Sequence, residues 1–215
     1  MVQKKIAENV RHNGRSVREN VLAAAVQLFA EYGYHAAPLR DIARMAGIQA
    51  ASIYYHYANK EALLVEIMES HMLQLNANLE RILSAQSDPL QRLYAAIANH
   101  IRSHTTYKNE FFIIDTEIRA LEGDKRTNIL ALRDCYEKLL QELLRDGMEK
   151  GIFRQSDVKV SSYAIIAMCT EVATWFRPNG RLNVQQVIDI YSQMITHGLL
   201  AAEDHAQTPG GSART

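Results

Sequence analysis

From Val17 onward the apolar residues Val17, Val21, Leu22, Ala25, Leu28, Phe29 and Tyr32 recur at spacings of three and four, the single stripe of an amphipathic helix. Ser16 and Glu19 stand before it as a capping box, and Gly33 follows as a left-handed stop. Pro38, with no N–H to leave unpaired, opens a second short stripe of Leu39, Ile42, Ala43 and Ala46, which Gly47 ends. After only Ile48 and Gln49 comes the segment AASIYYHYA, in which Ile53 and Tyr57 lie four apart and face inward. Two short helices joined by a glycine-containing turn, the second too short to stand alone, are the pattern of a helix-turn-helix.

Lys60 to about Ser84 reads as one long fourth helix with Leu63, Leu64, Ile67, Met68, Met72, Leu75, Leu79 and Ile82 inward. Ser87-Asp88-Pro89 breaks it and opens the next, running to about Tyr107. Further helices are predicted at about 109–121, 125–150, 157–176 and 183–201, set apart by Gly123, Gly151 and the turn Pro178-Asn179-Gly180. From Glu203 the periodicity is gone, and a disordered tail is expected over 203–215. The chain is therefore predicted to be all-α: a three-helix domain over 15–60, preceded by an arm over 1–14 and followed by a larger helical domain over 61–202.

Composition narrows the function classes. With 47% hydrophobic and 22% charged residues the chain is an ordinary globular protein rather than a fibre or a disordered tail. No apolar run reaches the length of a membrane span and the N-terminus lacks a signal-peptide core, so the cytoplasm, with no membrane partner, is the expected location. Cys135 and Cys169 lie far apart without CxxC spacing, which argues against a disulfide framework or a zinc knuckle. The net charge is zero, at first sight poor for a polyanion partner. Resolved along the chain, however, residues 1–60 hold eight basic groups against four acidic ones, a surplus of +4 that the remainder cancels.

The segment Ala37–Leu64, APLRDIARMAGIQAASIYYHYANKEALL, closely resembles the helix-turn-helix of the TetR family of transcriptional regulators. The likeness rests on IA after an Arg-Asp pair, the AGI turn, the SIYYHY segment and NKEALL, and covers about residues 16–65. An α-helix fits the major groove, and with Ile53 and Tyr57 inward, Gln49, Ala50, Ala51, Ser52, Tyr54 and Tyr55 are left to face DNA. Gln49 has the chemistry to pair with adenine and Arg40 with guanine. The resemblance implies base contacts at Arg40, Ala50, Ala51 and Tyr54, with phosphate contacts from Ser52, His56 and Lys60. Gln49 and Ala50 depart from the family, which usually has a Ser or Thr cap and then a basic residue or Pro. That shifts readout toward Arg40, Tyr54 and Tyr55. Lys4, Lys5, Arg11 and Arg15 form a basic arm that either follows the DNA backbone or is simply solvated.

The larger segment shows no catalytic set, phosphate loop or nucleophile elbow, so neither an enzyme nor a cofactor is expected. His100 and His104 at i,i+4 are a candidate pair of metal ligands without the HExxH glutamate. Phe111-Phe112-Ile113-Ile114 is apolar on every side of its helix, which implies burial all round. The family resemblance implies a ligand cavity among the fifth to eighth helices, for which Leu93, Ile97, Ile101, Phe111, Ile114, Met168 and Trp175 are candidate lining; ordinary core packing is the competing reading. The stretches Glu117–Leu121, Leu132–Glu137 and Trp175–Leu182 look like the subgroup that responds to acyl-CoA thioesters. Under that likeness Arg119, Arg133 and Arg177 are candidates for anionic ligand groups, against the alternative of surface salt bridges with Glu117, Glu122, Asp134 or Glu137.

One short reading helix binds duplex DNA weakly, so two-fold pairing is expected. The last two helices are the expected interface, with Val184, Val187, Ile188, Tyr191 and Ile195 at its centre, or else that stripe packs within the chain. The sequence thus points to a homodimeric repressor on a double-stranded palindromic operator, released by a small-molecule inducer such as an acyl-CoA thioester. A multidrug-efflux regulator responding to lipophilic or cationic drugs is the alternative. A helical enzyme or protein-interaction module is a third reading.

Overall fold

The computed structural model describes residues 16–85 and 87–199; the basic arm and the tail from Glu203 lie outside them. Among the described residues the chain is helical without strands. The helices are α1 (Val17–Tyr32), α2 (Leu39–Met45), α3 (Ala50–His56), α4 (Lys60–Ala85), α5 (Pro89–Thr106), α6 (Lys108–Thr116), α7 (Gly123–Glu149), α8 (Val158–Trp175) and α9 (Val184–Leu199).

The local signals act as their chemistry dictates. At the start of α1 the Glu19 N–H donates to Ser16 Oγ at 3.3 Å and the Ser16 N–H donates to Glu19 Oε2 at 2.7 Å, closing the capping box. Gly33 ends α1 at φ +82°, ψ 157°, a backbone region open almost only to glycine. Asp88 caps α5, accepting from the Leu90 N–H, with Pro89 in the first turn.

Val21, Ala25, Phe29, Ile42, Ala43, Ile53 and Tyr57 bury themselves against one another and against Leu63 and Leu64 of α4. Each such large side chain contributes about 1.5–3 kcal/mol when fully buried. This small domain is not separate from the rest: α4 packs on α1 at one end and on α5, α6 and α7 along its length. α5 is the central helix of the larger domain. Leu93, Ala96, Ile97, Ala98, His100, Ile101 and His104 are all buried, because α4, α6, α7, α8 and α9 surround it.

Three expectations change. The helix expected to reach residue 121 ends at Thr116 and is followed by a 3-10 turn, Ile118–Ala120. Phe111, Ile113 and Ile114 are buried, but Phe112 is 50% exposed, so α6 has a core face and an open face rather than burial all round. The apolar stripe assigned to a dimer interface is consumed inside the chain. Val187, Ile188 and Ile195 are buried, with Val184 and Tyr191 half-buried, because α9 lays that face on α5. Tyr94 of α5 donates its hydroxyl to Asp189 Oδ1 at 2.7 Å and accepts from Gln185 Nε2, locking the register of the pair. What α8 and α9 leave exposed is a different set: Val160, Tyr163, Trp175, Ile190 and Met194.

Candidate functional site

α3 holds only Ile53 inward, and Tyr57 follows as a buried anchor at its C-terminal end. A seven-residue helix cannot stabilise itself. Two apolar anchors therefore decide which way every other side chain points. Gln49, Ala50, Ala51, Ser52, Tyr54, Tyr55 and His56 all face solvent, with Tyr54 at 60% and Tyr55 at 90% exposure. The Tyr55 and His56 rings meet edge to face, centroids 5.3 Å apart. Gln49 occupies the N-cap without a side-chain cap hydrogen bond, so its amide remains available to a base edge. Arg40 and Arg44 stand one turn apart on α2, both about four-fifths exposed and both beside Asp41, at 3.8 and 3.0 Å. Arg44 belongs to this surface although the sequence motif did not single it out.

Lys60 is placed otherwise than a free phosphate contact would be. Its ammonium donates to the Tyr34 carbonyl at 2.7 Å and the His35 carbonyl at 3.2 Å and lies 4.4 Å from the centroid of the Tyr34 ring. Burial lowers its pKa, while the Glu117 charge acts in the opposite sense. From the other side, Glu117 Oε1 accepts the Tyr34 N–H at 3.1 Å. The loop between α1 and α2 is thus held at once by the first residue of α4 and by the residue that ends α6. Arg18 adds a bidentate pair to Glu66, at 3.1 and 2.7 Å, joining α1 to α4.

Within the larger domain the space between α5, α7 and α8 is about 10 Å³, room for one water. Its walls are Ala96, Ile97 and His100 of α5, Tyr136 and Leu140 of α7, and Ile165, Ile166 and Cys169 of α8. Of the expected lining only Ile97 is there. Leu93, Ile101, Phe111 and Ile114 are fully packed core, Met168 is half-buried, and Trp175 is 45% exposed against Tyr191. The three arginines do not reach the cavity wall: Arg119 is exposed, Arg133 pairs with Asp115 at 3.3 Å, and Arg177 donates to the Thr174 and Phe176 carbonyls.

The two histidines are joined into a stack rather than splayed as ligands. Their rings lie 4.1 Å apart and nearly parallel, and His104 stacks in turn on Phe111 at 3.9 Å. His100 Nδ1 meets the Tyr136 hydroxyl and Nε2 the Thr170 hydroxyl, each at 2.9 Å, and His104 Nδ1 donates to the His100 carbonyl at 3.0 Å. Burial holds both rings neutral: His100 falls well below the ordinary value, helped by its neighbour, and His104 falls to about 4. Among the described residues no further ligand completes a metal site with them. Sequence spacing marked His100, but Tyr136 and Thr170 carry no local signal, since 36 and 70 positions separate them from it.

An exposed helix-turn-helix braced against a helical domain defines a class of DNA-binding regulators, and the comparisons specify which. Residues 21–67 match bacterial regulatory proteins of the tetR family, and residues 86–199 match the tetracyclin repressor-like C-terminal domain. The chain belongs to the TetR family of transcriptional regulators. It is 31% identical to the HTH-type transcriptional repressor KstR2 of Mycobacterium tuberculosis over 86% of this chain and 93% of that one. The solved structure of that organism's ketosteroid transcriptional regulator KstR2 superposes with a TM-score of 0.82 at 28% identity, covering 88% of this chain and 98% of that one. AibR, solved in complex with isovaleryl coenzyme A and operator DNA, superposes at 0.76 with 29% identity, covering 83% and 97%. Among the described residues no helix is long and apolar enough to cross a membrane.

Proposed function

We propose that this regulator represses transcription by binding a palindromic operator as a homodimer, and that an acyl-CoA thioester releases it. The observation that carries the DNA half is the outer face of α3 and its cap: of the eight positions from Gln49 to His56, all but Ile53 turn to solvent beside Arg40 and Arg44. Arg40, Gln49, Tyr54 and Tyr55 read bases, Ala50 and Ala51 let the helix approach closely, and Ser52 and His56 reach phosphates. The dimer half rests on the need for two reading helices and on the apolar surface that α8 and α9 keep open, Val160, Tyr163, Ile190 and Met194. AibR's complex with isovaleryl coenzyme A and DNA supports the ligand class.

Release follows from the closed packing. An effector larger than a water must part α5, α7 and α8, so it binds the opened state and disfavours the closed one. Movement of α6 relative to α4 pulls the α1–α2 loop from opposite sides, through Glu117 and Lys60, and changes the spacing of the two reading helices. Driving the population from 1:99 to 99:1 requires roughly 5.5 kcal/mol of preference for the opened state. Selection of bound DNA from a random pool, then a gel shift on the recovered site with and without acyl-CoA thioesters, tests both halves. A recovered palindrome released by thioester is the expected result; an unstructured pool removes the DNA reading, and an unresponsive complex removes the thioester.

A further inference from the structure

We propose that His100, Tyr136 and Thr170 form the polar end of the effector site and take an uncharged oxygen function, a carbonyl or hydroxyl, on the apolar acyl portion of the effector. The inference rests on the reading of the larger domain as a ligand-responsive unit and states which chemistry that unit accepts. Three observations carry it. The only polar side chains at the wall of the cavity between α5, α7 and α8 are those of His100 and Tyr136, apart from the Cys169 thiol, and Thr170 stands on the far side of the imidazole. His100 spends one ring nitrogen on each hydroxyl, so the trio is a set of neutral donors and acceptors already held in line. A carbonyl oxygen entering beside Ile97 and Leu140 accepts from this set in exchange for one of its internal hydrogen bonds.

The charges available decide what is rejected. No carboxylate is buried among the described residues, so a lipophilic ammonium would lose its hydration without a counter-charge. A buried ligand carboxylate meets the same penalty: Arg133, whose charge is felt at His104, stands outside the cavity wall and already has Asp115 as its counter-charge, and Arg177 is held at the end of α8. Burial also keeps the His100 ring uncharged, which removes the remaining candidate cation.

The test is titration calorimetry on the full chain, without DNA, using four probes built on an eight-carbon skeleton: the octanoyl N-acetylcysteamine thioester, 2-octanone, octanoate and octylamine. The thioester and the ketone are expected to bind, with the acid and the amine at least tenfold weaker. Thr170→Val, a half-buried and nearly isosteric change, and Tyr136→Phe are each expected to weaken the two carbonyl probes about tenfold. Binding of octylamine or octanoate as tight as that of the ketone, unaltered ketone affinity in both variants, or no binding of either carbonyl probe overturns the proposal. Since this readout contains no DNA, it stands or falls separately from the repressor reading, which the gel shift on the recovered operator tests.

Discussion

Tyr54 and Tyr57 are the same residue type three positions apart on one short segment, yet one is 60% exposed and the other 4%. Tyr57 lies just past the end of α3 in extended backbone, φ −138° and ψ 122°, so it leaves the helical spacing that would put it on the face of Tyr54 and turns into the core instead. Their substitutions should therefore part company. Tyr54→Ala or Arg40→Ala is expected to cost about 1–3 kcal/mol of operator affinity with an unchanged melting temperature, read by gel shift and calorimetry. Unchanged affinity in both variants would remove α3 and α2 as the reading surface. The buried histidines make a prediction of the opposite kind, about stability. His104 titrates near 4 when folded and near 6.5 when unfolded, so below about pH 6.5 the unfolded chain binds the extra proton and stability is lost as the pH falls toward 4. The amount approaches about 3 kcal/mol for this one group, and His100, shifted the same way, adds to it. Replacing His104 by Gln should flatten the dependence of the urea midpoint on pH between 6.5 and 4. A midpoint that keeps its full slope would assign the loss to other groups.

Elements, rather than single residues, settle which apolar faces are covered within the chain and which stay open. α9 has a strong stripe and a weak one, and the strong stripe is taken by α5 of the same chain. Ile188→Asp is accordingly expected to unfold the larger domain, costing about 4 kcal/mol or more, and not to yield folded monomers. Met194→Asp lies on the exposed side and is expected to leave helicity intact while sedimentation shifts to the monomer. A folded monomer from the first variant or an unaltered dimer from the second would reverse the assignment. At α6 the decisive contact is a single carboxylate. Glu117→Ala leaves the Tyr34 N–H without its acceptor, which should cost about 1–3 kcal/mol of stability and weaken the thioester-induced release of DNA. Release at the wild-type concentration of thioester would exclude Glu117 as the link between the domains.

At the scale of the molecule the zero net charge is a balance between a basic reading domain and an acidic remainder. Few phosphate contacts per subunit predict a modest slope of log affinity against log salt, doubled when two subunits bind, so a monomeric Met194→Asp variant should show about half the wild-type slope. An equal slope for both would mean that one subunit makes all the contacts.

The legible part of this protein was what repeats or punctuates locally. Helix boundaries followed from capping residues and glycines, and the inward pair Ile53 and Tyr57 from a spacing of four, because those constraints act within one turn of helix. The motif from Ala37 to Leu64 likewise carried its meaning in contiguous residues. Periodicity shows that a face is apolar and leaves open which surface will cover it. So the stripe of α9 was indistinguishable from a dimer interface until α5 was seen lying on it. The cavity was similarly out of reach. Family resemblance offers Ile97, Leu93 and Ile101 alike as lining, and nothing local separates lining from core, while His100, Tyr136 and Thr170 meet only after three helices pack. Lys60 had the composition of a phosphate contact and became a clamp on two carbonyls that its own helix brings within reach. Local sequence determined the helices and which side chains of α3 turn inward; the tertiary structure decided which apolar faces are covered within the chain and which polar side chains converge, because both depend on contacts between residues far apart in the chain.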